Sequence, residues 1–202
     1  MYWVRPPSFL KWYYRDMTWR KSRSDKTIYL TFDDGPIPEL TPFVLDILKK
    51  HGIKATFFCV GENIQKHSDL FRRLSAEGHR IGNHTYHHLK GWDYDTKSYI
   101  EDVKKCQELT QTSLFRPPYG KIKKSQIKIL KEDFELIMWD VLSGDFDTSL
   151  APASCYDNVI KYTRPGSILV FHDNLKAISR LKHTLPRIIE HFKAQGYTFG
   201  LL

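Results

Sequence analysis

Two short runs in the 202-residue sequence combine side-chain types and spacings that can do chemistry. The first is Asp33-Asp34-Gly35-Pro36, directly after the apolar run Thr27–Phe32. Adjacent carboxylates at the end of a buried strand repel each other and are costly to desolvate. A cation resolves that conflict by holding one of them ionised and drawing in further ligands. Asp-Gly-Pro is also good turn chemistry, and the pair alone does not separate the two readings. The second run, His84-Thr85-Tyr86-His87-His88, shifts the balance. Histidines four residues apart lie on one side of a helical turn, where both imidazoles reach one ion. Two imidazoles and a carboxylate suit one divalent transition metal, Zn²⁺ first, with Co²⁺ or another divalent ion also accommodated. Asp34, His84 and His88 are therefore the expected ligands, with His87 pointing away between them. His51, His67, His79, His183 and His191 read as structural, with His79 against the rim of the fold.

These groups need elements to position them. Thr27–Phe32, Ala55–Val60, Arg80–Asn83, Leu114–Phe115, Glu135–Asp140, Ser167–Phe171 and Tyr197–Leu201 carry the β-branched and aromatic residues of buried strands. Between them lie helical patterns. Thr41 is a candidate cap with Pro42 at the first helical position and Gly52 just past the end. Further helices are expected over Leu70–Ala76, Lys97–Gln111, Lys123–Leu130, Cys155–Tyr162 and Ile178–Ala194, the last restarted or kinked at Pro186. The alternation predicts a parallel α/β architecture and leaves a closed barrel and an open sheet both available. The polar groups share one end of the strands. Asp33 and Asp34 follow the first, His84 the third and Arg116 the fourth, Asp145 comes shortly after the fifth, and His172 ends the sixth. In parallel barrels that is the face where catalytic groups gather.

Residues 1–26 stand outside the alternation, with Trp3, Trp12, Tyr13, Tyr14 and Trp19. They read as an arm packed on a single domain filling 27–202; contact with a membrane surface is the less favoured use. Apolar residues make up 41% and charged residues 27%, an ordinary globular balance. No run approaches the ~18 continuous apolar residues of a membrane span. The patch Phe9–Tyr14 is broken by Lys11 and does not make a signal peptide, so the expectation is a cytoplasmic location, with association with the cell envelope as the other option. Cys59, Cys106 and Cys155 form no disulfide framework or metal-ligand pair and read as structural thiols. The net charge of +8 comes with no zinc-finger spacing or RNA-recognition motif, so no nucleic-acid partner is expected.

Thr31-Phe32-Asp33-Asp34-Gly35-Pro36, His84-Thr85-x-x-His88, Arg116-Pro117-Pro118-Tyr119-Gly120 and His172-Asp173, in that order, resemble the motifs of the polysaccharide deacetylases, the NodB-homology domain of carbohydrate esterase family four. The resemblance spans Thr27 to Leu202. It implies a distorted (β/α)7 barrel and hydrolysis of an N-acetyl group on a peptidoglycan, chitin-like or lipid-linked glycan. It also implies roles: Asp34, His84 and His88 for the metal, Asp33 as general base, and Arg116 holding Asp33. The backbone N–H of Tyr119 would stabilise the oxyanion, and His172 would be the acid, oriented by Asp145. Two positions depart from the family. Phe146 stands where a tryptophan is usual, and Val170 where leucine commonly lines the acetyl pocket. Asp140 competes with Asp145 as partner of His172. The alternatives are an O-acetyl esterase acting on a polysaccharide such as xylan, or an inactive carbohydrate-binding module. Short loops predict an open groove without a deep pocket.

Overall fold

A computed structural model of the chain describes residues 2–202. The strands are β1 (Thr27–Asp33), β2 (Thr56–Cys59), β3 (Arg80–Asn83), β4 (Leu114–Phe115), β5 (Glu135–Leu136), β6 (Val141–Leu142), β7 (Ile168–His172) and β8 (Thr198–Phe199). The helices are α1 (Ser8–Tyr13), α2 (Thr41–His51), α3 (Gly61–Lys66), α4 (Ser68–Ala76), α5 (Thr96–Thr110), α6 (Lys124–Leu130), α7 (Pro152–Tyr162) and α8 (Ile178–Ala194). Strand order is β5-β4-β3-β2-β1-β7-β6, with β8 beside the start of β1, and these pairings are parallel. This is the distorted (β/α)7 barrel, in which β1 pairs with β2, β7 and β8.

Side chains on β1 alternate as a strand's period of two requires. Ile28, Leu30 and Phe32 turn outward and join Val44, Leu45 and Leu48 of α2 and Leu181, Leu185 and Ile188 of α8 in the largest apolar cluster. Tyr29 lies in a separate small cluster with Phe58, Leu114, Ile137 and Ile168, and Thr31 and Asp33 on the same face meet the guanidinium of Arg116. The inner face thus trades apolar packing for polar groups toward the C-terminal end of β1.

Several expected boundaries shift. The run Glu135–Asp140 is not one strand: pairing stops after Leu136 and resumes at Val141, because the chain there passes from the β4 edge of the sheet to the β7 edge. The run near the C-terminus pairs only with Thr27 and Ile28, below the site. Thr41 does not cap α2. Leu40 holds that position, and the Thr41 hydroxyl instead bonds Asp173. By contrast α8 has the expected bounds, with Pro186 inside it and buried Leu185, Ile188, Ile189 and Phe192 on either side. Helices α1 and α3 went unread in the sequence.

The N-terminal segment is stitched across the seam between β5 and β6. Thr18 bridges Ile137, Arg20 bridges Ser167, and the Leu142 N–H donates to the Val4 carbonyl at 2.8 Å. Met17 and Trp19 are buried there, whereas Phe9 and Trp12 are 64% and 74% exposed. No helix among the described residues is long and apolar enough to cross a membrane.

Candidate active site

Asp33 ends β1 facing inward, and Arg116, immediately after β4, lies wholly buried beside it. One guanidinium nitrogen donates to Asp33 Oδ1 at 2.6 Å and to Thr31 Oγ1 at 2.7 Å; the other two reach the carbonyls of Ile137 (3.4 Å) and Met138 (3.1 Å). The guanidinium also stacks 4.1 Å from the Phe58 ring centroid. Burial draws Arg116 below its ordinary value and the Asp33 charge opposes that. Every side of this buried cation is answered, which is what keeps it inside a barrel.

Asp34 takes a left-handed backbone (φ 84°), turning its carboxylate away from that of Asp33. Its Oδ1 lies 3.0 Å from His88 Nε2 and 3.5 Å from His84 Nε2. The ligand atoms of Asp34, His84 and His88 all fall within 4.8 Å of one another. His84 Nδ1 sits 2.7 Å from the Arg116 carbonyl, which can only accept, so that nitrogen carries the proton. In the neutral ring the Nε2 lone pair then faces a carboxylate oxygen. A cation between them removes the repulsion, so this donor set fits a metal. Burial opposes ionisation of Asp34, but when the His84 and His88 rings are both protonated their N–H groups outweigh it and hold the carboxyl well below the usual range.

The histidines do not share a helical turn. Residues 84–88 form a bent loop in which Thr85 (φ 63°) and His88 (φ 56°) are left-handed. That loop is folded around Asp102 of α5, whose Oδ2 accepts the N–H of Tyr86 (2.8 Å) and of His87 (3.1 Å). The His87 ring turns away from the ligand cluster and bonds the other Asp102 oxygen. Of the five non-glycine residues with positive φ among those described, Asp34, Thr85, His88 and Tyr119 lie in this site. Such conformations cost energy and gather where function requires them.

The turn at Asp34 is clamped from β7. Asp173 Oδ1 accepts the Gly35 N–H at 3.0 Å, and Oδ2 accepts the Thr41 hydroxyl at 2.5 Å, which itself accepts the Ile37 N–H at 2.8 Å. A Cβ on Gly35 would lie 1.9 Å from the Asp173 carboxylate, so glycine is obligatory there. Burial raises the Asp173 carboxyl to about 8.

His172 pairs in register with Asp33 across β1 and β7. Its Nδ1 lies 2.8 Å from Asp145 Oδ1, and its N–H donates to Asp145 Oδ2 at 2.8 Å. Burial would lower the His172 pKa, but the charge and hydrogen bond of Asp145, with Asp34 and Asp33 beyond, lift it to about 9. Asp140 is elsewhere, bonded to Lys11 Nζ at 2.6 Å and to Ser167 Oγ at 2.8 Å. The ring of Phe146 stands edge-on to His172 at 5.0 Å, and that of Tyr119 lies 4.8 Å from His88. Val170 is buried one turn of the pleat below His172. Asp33, Asp34, His84, His88, Tyr119, Phe146, Val170 and His172 line one cleft of about 820 Å³. Tyr2, Trp3 and Leu10 of the N-terminal segment wall one side of it.

The sequence matches the family described as polysaccharide deacetylase over residues 20–133. The chain belongs to the polysaccharide deacetylase family. A Bacillus cereus peptidoglycan-N-acetylglucosamine deacetylase is 35% identical over 190 residues, covering 91% of this chain and 89% of that one. The Bacillus subtilis peptidoglycan-N-acetylmuramic acid deacetylase PdaA is 36% identical, over 87% of this chain and 69% of its own. Among solved structures, a peptidoglycan N-acetylglucosamine deacetylase in complex with 4-naphthalen-1-yl-N-oxidanyl-benzamide superposes with a TM-score of 0.87 at 31% identity, over 98% of this chain and 95% of that one. The chain is thus a hydrolase of carbohydrate esterase family four.

For a polysaccharide deacetylase, the structure adds groups that sequence reasoning missed. Asn174 donates to Asp34 Oδ2 at 2.6 Å and Asn63 to the Asp34 carbonyl at 2.7 Å. The neighbourhood of His172-Asp173 could have pointed to Asn174; nothing local marks Asn63 or Asp102. The remaining histidines behave as expected where they are buried. His79 accepts the Ala55 N–H, packs against Phe57, and is lowered to about 4 by burial. The three cysteines are free and buried.

Proposed function

We propose that this deacetylase hydrolyses the N-acetyl group of an N-acetylated sugar in a glycan, releasing acetate and a free amine, with one divalent transition metal on Asp34, His84 and His88. Zn²⁺ is the first choice for two imidazoles and a carboxylate, and Co²⁺ is chemically acceptable. When bound, such a cation polarises the acetyl carbonyl and lowers the pKa of water at the site. The chain's own groups do the rest. Asp33, aimed by Arg116, takes a proton from the attacking water. The Tyr119 N–H donates to the oxygen that gains charge as water adds. His172, kept protonated by Asp145, gives its proton to the nitrogen as the C–N bond breaks. Phe146 and Val170 face the methyl group.

The observation that carries the reading is the His172–Asp145 pair at 2.8 Å beside Asp33. An amine leaves only when protonated, whereas an alcohol leaves far more readily, so an acid held charged up to about pH 9 favours the amide over an O-acetyl ester. The relatives named above act on N-acetylglucosamine or N-acetylmuramic acid of peptidoglycan, which makes that polymer the first substrate to try. Metal-stripped protein titrated with Zn²⁺ is expected to bind one equivalent, lost in His84→Ala. The reloaded protein is expected to release acetate from N-acetylated oligosaccharides and not from O-acetylated xylan. Absence of Zn²⁺ binding in the unmodified protein, or acetate from xylan alone, refutes the reading.

A further inference from the structure

The cleft is much larger than an acetyl group needs, and its excess volume has a chemical character. Phe146 and Val170 line it beside His172. Beyond them the wall continues through Leu142, Trp139 and Met138 to Tyr2, Trp3 and Leu10 of the N-terminal segment. Tyr2 and Phe146 are in ring contact at 5.0 Å, so the segment abuts the acyl side of the reacting centre directly. The wall's polar atoms are largely spent. The Tyr2 hydroxyl donates to Asp147 at 3.2 Å, and the Trp19 indole N–H donates to the Tyr14 carbonyl at 3.1 Å. Of its buried side-chain donors, only Trp139 Nε1 lacks a partner. A pyranose presenting several hydroxyls to this wall would leave most of them unanswered, at a cost for each. An alkyl chain would lose nothing and gain burial.

We propose that this wall is an acyl channel, and that the chain hydrolyses N-acyl groups longer than acetyl, with N-butyryl as the test case. The step is the same one and balances in the same way. Water oxygen joins the acyl carbon, the C–N bond breaks, one water proton passes to Asp33, His172 protonates the amine, and the longer carboxylic acid leaves and loses its remaining proton to solvent, while Asp33 and His172 re-equilibrate with solvent. The inference rests on the deacetylase reading, and its experiment separates the two.

Zn²⁺-loaded protein is titrated by calorimetry with acetohydroxamate, propionohydroxamate and butyrohydroxamate, probes that share one metal-binding head and differ only in chain length. Each added methylene is expected to tighten binding by about fourfold, the effect of moving one such group out of water. Leu10→Trp, which fills the channel from the segment's side, is expected to flatten the series. In parallel, glucosamine tetramers bearing N-acetyl or N-butyryl groups are compared for amine release, with kcat/KM for the butyryl substrate expected to equal or exceed that for acetyl. Acetohydroxamate binding with no gain along the series, and amine release from the acetyl tetramer alone, overturns the channel and leaves the deacetylase standing. Failure of acetohydroxamate itself to bind overturns both.

Discussion

At the scale of single residues, two buried ion pairs dominate the site, and each makes a prediction with a sign. Arg116 is fully buried against Asp33, which is 4% exposed. Replacing it with methionine leaves a carboxylate unpaired in the barrel interior, expected to cost about 3–5 kcal/mol of stability in urea unfolding. Adding Asp33→Asn to that variant is expected to restore part of the loss, since no charge is then stranded. The second pair concerns pH. The folded His172 pKa is raised from 6.5 to about 9, so the pair's stabilisation is complete below pH 6.5 and is lost as pH rises through about 9. Activity should fall on the same alkaline limb as the acid is lost. A cation beside Asp34 offsets that carboxylate's contribution and places the limb at or somewhat below about 9. Asp145→Asn removes the largest raising cause and leaves burial opposed only by Asp34 and Asp33, so the limb is expected to move to lower pH in a kcat/KM profile from about pH 5 to about pH 10. An unmoved limb would dismiss His172 as the acid.

At the scale of elements, the strands deliver Asp33 and His172 in register, but a loop delivers the second histidine. The loop at residues 84–88 owes its shape to Asp102 on α5, which satisfies two of its N–H groups and the His87 ring. Asp102→Ala is expected to weaken Zn²⁺ affinity by at least about tenfold while α5 remains folded, read by competition with a chelating dye and by circular dichroism. The i, i+4 spacing of His84 and His88 was legible and correctly grouped them. It could not distinguish a helical turn from a loop with two left-handed residues, since both bring the rings together; here the centroids are 5.2 Å apart. The strand run Glu135–Asp140 was misread for a related reason. Leu136, Ile137 and Met138 are buried in succession and Trp139 partly so, and periodicity does not reveal where the chain leaves one sheet edge for the other.

At the scale of the whole molecule, the N-terminal segment completes the barrel. It lies over the seam between the edge strands β5 and β6, where the sheet would otherwise expose unpaired edges. Its anchor is Lys11, bonded to the fully buried Asp140 at 2.6 Å with Arg5 at 3.8 Å. Lys11→Ala is expected to destabilise the protein by roughly 2 kcal/mol, more than an exposed pair would, because Asp140 stays buried with only Ser167 and a distant arginine. The same variant is expected to loosen the cleft wall, raising KM for glycan substrates with kcat little changed. A melting temperature equal to that of the unmodified protein would show the segment to be a passenger.

The sequence by itself determined the chemistry that is local. Paired carboxylates, spaced histidines and the polar groups at strand ends are contiguous or periodic features, and they grouped Asp34, His84 and His88 and the parallel α/β class. Only the tertiary structure decided which of Asp140 and Asp145 meets His172, what holds the histidine loop, and that Tyr2 stands against Phe146. Each of those joins groups far apart along the chain. Such contacts follow from how the strands order themselves and where the seam falls, and no residue's type or spacing encodes that alone.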